Sequence, residues 1–246
     1  MKVRSIDVNA DVGEGVGNET LLMPYLSSCN IACGGHAGDI ESMTNVVRLA
    51  KSNQVKIGAH PSFPDRLNFG RTVMEMSPSD LYTSLKAQIE RLQVVARAEG
   101  VVLSHVKPHG ALYNLAAKDE ETARVILKVL KAVNPVLKLY APCNSVMAKM
   151  ALLNDVELVY EAFADRGYED DLSLVSREKK GAVLHDKDRV FNRVLWMVKG
   201  QKITAVNGVE VATKISTICV HGDTKNAVEI VKYLVCKLKE NNIKIQ

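Results

Sequence analysis

A chain of 246 residues, 47% hydrophobic and 24% charged, carries enough apolar material for one large buried core and too much for wholesale disorder. Its formal charge of +4 is small, and its basic residues are scattered along helical patterns such as 128–138 and 232–244; a solvated face is expected, with no nucleic acid as partner. No apolar run approaches the roughly 18 residues that cross a bilayer, and the N-terminus enters an alternating pattern with no apolar signal core, so no membrane association is expected and the cytoplasm is the default compartment.

The first strand is expected over 3–9, where apolar and polar residues alternate. A second follows over 28–32, a helix over 42–53 and a third strand over 55–59. Ser77-Pro78 supplies an N-cap and a first-turn proline for a helix over 78–99. Strands over 102–106, 137–141 and 157–163 then alternate with helices over 119–133, 145–153 and 188–198. Asn207-Gly208 sits between two β-rich runs and marks a peripheral hairpin over 202–214. A last strand over 215–220 and a helix over 224–241 complete about seven β-α repeats, with no linker to divide residues 1–246 into two domains.

In the first strand Asp7, Asn9 and Asp11 share one parity while Ile6, Val8, Ala10 and Val12 share the other. A parallel strand covered by helices on one face and carrying carboxylates on the other must line a polar cavity, and a barrel lumen supplies one. His105, Lys107 and His109 repeat the pattern on the fourth strand, where Pro108 is expected to end regular pairing. Histidines and carboxylates also follow the strands: Glu14, His36 with Asp39, His60 with Asp65, His109, Asp165 with Arg166, and His221 with Asp223. The loops at the carboxyl ends of parallel strands converge, so these groups are expected to meet.

Blander roles compete with this one. Asp39 and Asp223 precede helical patterns and suit N-caps, while Asp65-Arg66 and Asp165-Arg166 suit solvated turns. His185 reads as a loop residue. Against them stands the equivalence of His36, His60, His109 and His221, four histidines at matching strand ends. There is no GxxxxGK[ST] loop, no GxGxxG after the first strand and no GxSxG elbow. The five cysteines form no disulfide framework; Cys29 and Cys33 lack a second pair for a thiolate zinc site, and Cys33 is a nucleophile candidate only through its neighbour His36.

Asp7-Val8-Asn9-Ala10-Asp11-Val12-Gly13-Glu14, Asn30-Ile31-Ala32-Cys33-Gly34-Gly35-His36-Ala37-Gly38-Asp39 and Gly58-Ala59-His60-Pro61-Ser62-Phe63-Pro64-Asp65 resemble signature blocks of the LamB/YcsF family. Val106-Lys107-Pro108-His109-Gly110, Asp165-Arg166-Gly167-Tyr168 and Val220-His221-Gly222-Asp223-Thr224 resemble its later blocks, in the family's order. Gly35 stands where an aromatic is common, Ala10 where cysteine is common, and Arg66-Leu67-Asn68 varies the usual loop. The resemblance implies an irregular seven-stranded β/α barrel of the glycoside hydrolase and deacetylase type. It also implies an activity: with partner subunits B and C, cleavage of 5-oxoproline to L-glutamate, with ATP as cosubstrate becoming ADP and phosphate.

On that reading Asp11 and Glu14 are base candidates, His60 and His109 move protons, and Lys107 meets a phosphate or the substrate carboxylate. Asn9, His36, Asp39, Asp65, Arg166 and His221 would line the substrate site. A second reading is amide hydrolysis or deacetylation without ATP, on a divalent metal held by Asp11, His36 and His60. A third makes the chain a binding subunit whose partners hold the catalytic groups.

Overall fold

Arg4–Val12 forms β1, whose apolar parity is buried against helices and whose polar parity is buried in a lumen. The computed structural model describes residues 4–179 and 181–246; Val3, the first residue of the first expected strand, lies outside them. A short helix α1 (Glu19–Leu22) and a 3-10 turn lead to β2 (Ser28–Ala32), α2 (Ile40–Ser52) and β3 (Lys56–His60). The long helix α3 (Pro78–Ala98) precedes β4 (His105–Val106), α4 (Gly110–Ala116) and α5 (Glu120–Val133). Then come β5 (Lys138–Pro142), α6 (Val146–Leu153), β6 (Leu158–Phe163) and α7 (Lys187–Gly200). The chain closes with β7 (Lys202–Thr204), β8 (Glu210–Ala212), β9 (Thr217–Cys219), α8 (Ala227–Glu240) and β10 (Ile243–Ile245).

Strands β1, β2, β3, β4, β5, β6 and β9 pair in that order, all parallel, and β9 returns to β1. This is the irregular seven-stranded β/α barrel that the alternation and the resemblance implied. β10 pairs with the first residues of β1, and β7 and β8 pair antiparallel across the Asn207-Gly208 turn.

Local chemistry sets the helix boundaries. Asp39 caps α2 in a reciprocal box with Ser42, Ser77 caps α3 ahead of Pro78, and Asp119, Ser145 and Asp186 cap α5, α6 and α7. One stripe of α5, including Val125, Ile126, Val129 and Leu130, is buried, each side chain contributing about 1.5–3 kcal/mol of transfer energy. α1, α4 and β10 carry too few residues to show a period, which is why the sequence pattern does not reveal them.

Regular pairing ends ahead of Pro108, as expected: β4 and its ladders to β3 and β5 stop at Val106. β4 is only two residues long, yet the amides of Ser104, Lys107 and His109 donate to Ile57, Ala59 and Pro61 carbonyls, so bonding to the β3 side continues past the proline. Proline removes only its own donor, which here points away from β3. His105, Lys107 and His109 therefore stay on the lumen side.

Candidate active site

The lumen is filled by polar layers. At its base Asp7 accepts from Ser28 (2.7 Å) and Thr217 (2.6 Å) hydroxyls. Above it the Asn9 amide donates to Thr217 (2.7 Å) and Glu161 (3.1 Å), and the Asn30 amide donates to Asn9 and Asp11, both at 2.8 Å. That leaves Asn30 Oδ1 to accept from His105 Nε2 at 2.8 Å, while Ser104 Oγ, whose hydroxyl also reaches the Ile57 carbonyl at 3.1 Å, lies 2.7 Å from His105 Nδ1. Burial and the Lys107 charge pull the His105 pKa down to about 3, which keeps the ring neutral. Its ring lies where a Cβ on Gly58 would be, 2.1 Å from Nε2, so only glycine fits that position of β3.

Lys107 is buried, and its ammonium group meets Asp11 at 2.9 Å, Glu161 at 3.0 Å and the Cys219 sulfur at 3.1 Å. Burial opposes its charge, but Asp11, Cys219 and Glu161 outweigh burial and hold its pKa well above the ordinary lysine value. Asp11 mirrors this: burial works to raise its pKa, and His60 and Lys107 drive it well below the carboxylate range. All three ammonium protons have partners inside the barrel, and Lys107 also lines the cavity where a phosphate or the substrate carboxylate was expected to meet it.

Above Asp11 lies a second cluster. Glu14 Oε1 is 2.9 Å from His36 Nε2, 3.3 Å from His109 Nδ1 and 3.7 Å from His60 Nε2. His60 Nε2 is 3.0 Å from His109 Nδ1 and 3.4 Å from Asp11. Burial pulls His36 down to about 4, and its ring stacks on His109 at 3.6 Å. Glu14, His36, His60 and His109 each present a ligand atom within 4.8 Å of the others, which among the described residues is the set that suits a metal ion. The expected set was Asp11, His36 and His60; Asp11 instead stands beside this group, bound to Lys107.

Asp11, Glu14, His60, Lys107 and His109 form the floor of a cavity of about 360 Å³ at the carboxyl ends of the strands, with Tyr113, Phe163, Arg166 and His221 in its walls. Arg71 and Arg177 stand at the mouth, the former paired with Asp223 at 2.5 Å. Asn9 lies below the cavity, and His36 is sealed behind Glu14. Asp39 and Asp65 fall outside it: the first is the N-cap of α2, and the second accepts from Asn68 in a turn. Each serves its own backbone, the bland reading of those two residues. Cys33 is no nucleophile, since burial pushes its thiol up to about 12.

Two residues take larger roles than their sequence context suggests. Glu161 is the lone acid in an otherwise apolar strand, a signal that a polar partner lies inside. Asp165 suits a solvated turn by sequence, yet it is fully buried and accepts from His221 Nδ1 (2.9 Å) and the Thr224 hydroxyl (2.6 Å). It orients a histidine that faces the cavity. Gly35, the departure noted in the second block, has no room for a Cβ, which would lie 2.3 Å from Ser62 Oγ and 2.4 Å from Gln88 Oε1.

The chain is 44% identical over 243 residues to the A subunit of 5-oxoprolinase from Haemophilus influenzae (strain PittEE), covering 99% of each. It is 43% identical to the A subunit of 5-oxoprolinase from Pyrococcus horikoshii, covering 98% of this chain and 96% of that one. The crystal structure of a lactam utilization protein from Thermus thermophilus superposes with a TM-score of 0.93 at 38% identity, over 98% of this chain and 99% of that one. The LamB/YcsF family model matches residues 6–246, so the strand-end blocks and the barrel agree with the whole-length likeness: the chain belongs to the LamB/YcsF family.

Proposed function

We propose that this chain is the lactam-handling subunit of a multi-subunit 5-oxoprolinase, opening 5-oxoproline to L-glutamate while ATP becomes ADP and phosphate. The observation that carries the reading is end-to-end likeness, at 44% identity, to proteins named as the A subunit of 5-oxoprolinase. The cavity supports it: small, lined by an ionised carboxylate and histidines, and ringed by arginines. Subunits B and C are the partners, and with no phosphate-loop motif in this chain the nucleotide is brought to the cavity mouth by the assembly.

The lactam carbonyl is deactivated by the resonance that gives an amide its rotation barrier of ~18–20 kcal/mol. Transfer of the γ-phosphoryl group to the amide oxygen removes that resonance. Water then adds to the same carbon, and expulsion of the ring nitrogen leaves a γ-glutamyl phosphate that a second water hydrolyses to glutamate and phosphate. Asp11, kept ionised by Lys107, is the base for water, with Glu14 beside it. His60 and His109 relay the proton, and His221, held by Asp165, protonates the departing nitrogen. Arg71, Arg166 and Arg177 take the phosphate and the substrate carboxylate.

The Glu14 and histidine cluster favours a second reading, hydrolysis of a small amide without ATP. Supplying 5-oxoproline and ATP to this chain alone, to subunits B and C alone, and to all three separates the two. Coupled glutamate and ADP release from the mixture only supports the first. Hydrolysis of lactam or acetyl-amide by this chain alone, with no coupled release from the mixture, supports the second.

A further inference from the structure

His60 and His109 have each committed one ring nitrogen to the backbone. His60 Nδ1 lies 2.7 Å from the Lys107 carbonyl and His109 Nε2 lies 2.9 Å from the Phe69 carbonyl. A carbonyl only accepts, so both of these nitrogens carry protons. In the neutral rings His60 Nε2 and His109 Nδ1 are then bare, and they face each other at 3.0 Å with Glu14 Oε1 at 3.7 and 3.3 Å. Phe69 holds its carbonyl toward His109 from the left-handed region (φ 55°), a conformation costly for a bulky residue. Three ligand atoms, His60 Nε2, His109 Nδ1 and Glu14 Oε1, lie within 3.7 Å of one another. A single proton bridges one pair of them, whereas a cation satisfies all three.

We infer that Glu14 Oε1, His60 Nε2 and His109 Nδ1 bind one divalent first-row transition-metal ion, with His36 donating to Glu14 as a positioning residue. The spacing fits: ligands at about 2.1 Å from an ion are separated by about 2.9–3.4 Å in octahedral or tetrahedral arrangements, close to the 3.0, 3.3 and 3.7 Å observed. His36 is not a fourth ligand on this geometry. Its ring is parallel to that of His109 within 4° at 3.6 Å, so the two lone pairs run side by side and do not aim at one ion. It bonds the Glu14 oxygen at 2.9 Å instead, as partners of ligating carboxylates do. A two-histidine, one-carboxylate set leaves coordination positions open, and Glu14, His60 and His109 all face the cavity. This inference rests on the proposed function and replaces its histidine relay: Glu14, His60 and His109 become ligands, and Asp11 alone remains as base.

The test is made on this chain alone, stripped with chelator and titrated with Co²⁺ and Zn²⁺, following cobalt absorption, calorimetry and metal content after desalting. One ion per chain is expected, with affinity lowered at least about 100-fold in Glu14→Gln and His109→Ala, about 10–100-fold in His36→Ala, and unchanged in Arg177→Ala. Circular dichroism confirms which variants are folded. Wild-type protein that binds no more metal than folded His109→Ala overturns the inference. Coupled turnover by the full assembly in excess chelator likewise overturns the metal while leaving the oxoprolinase reading standing; stoichiometric binding without coupled turnover sustains the metal and removes that reading.

Discussion

Asp11 on β1 and Lys107, just past β4, are 96 residues apart in the chain and meet at 2.9 Å in the barrel lumen, each setting the other's charge. The ammonium group is shared with Glu161, so two buried carboxylates depend on one cation. Removing one partner of such a pair leaves an uncompensated buried charge.

Lys107→Met should therefore lower stability by about 3–5 kcal/mol, the usual result of breaking a buried ion pair. Urea unfolding measures it. A midpoint and slope equal to wild type would show that the Lys107 ion pairs do not stabilise the barrel.

Asp165 sets an acid-side limit. Burial works against its charge, but His221 and the Thr224 hydroxyl overcome burial and hold its pKa below the ordinary 3.8. The native state thus binds this proton less tightly than the unfolded chain. Stability from Asp165 is present above about pH 3.8 and is lost as pH falls through the lower native value. Asp165→Asn should flatten the acid limb of a stability-against-pH curve, and it should lower turnover about 10²-fold by releasing His221. An unchanged acid limb contradicts the assignment.

Gly58→Ala places a methyl group 2.1 Å from His105 Nε2 and must push the ring off Asn30. A loss of about 1–3 kcal/mol is expected from this overpacking. Gly200→Ala, at the end of α7, meets only Trp196 at 3.8 Å and should be neutral or gain about 0.4–1 kcal/mol. Thermal unfolding of both variants compares them directly; equal Tm values would remove the special role of Gly58.

Much of this architecture was legible because its signals are local. The parity of Asp7, Asn9 and Asp11 implies a polar lumen, and Ser77-Pro78 and Asp119 mark helix starts that the structure contains. Partnerships were not legible. That Lys107 is consumed by Asp11 and Glu161, that His221 leans on Asp165, and that His36 stacks on His109 are all set by barrel closure, which brings together residues distant in the chain. Asp39 and Asp65 show the converse: the sequence offered both a cap or turn and a site, and local backbone chemistry took each residue.

Replacement of Asp11 tests the account most directly, since the base for water and the anchor for Lys107 are the same group. Glutamate release from 5-oxoproline and ATP is measured for this chain mixed with subunits B and C, comparing wild type with Asp11→Asn, with co-elution on a sizing column confirming assembly. The account predicts an assembled variant whose glutamate release falls by about 10²–10⁴-fold. An assembled Asp11→Asn that releases glutamate at the wild-type rate would contradict it.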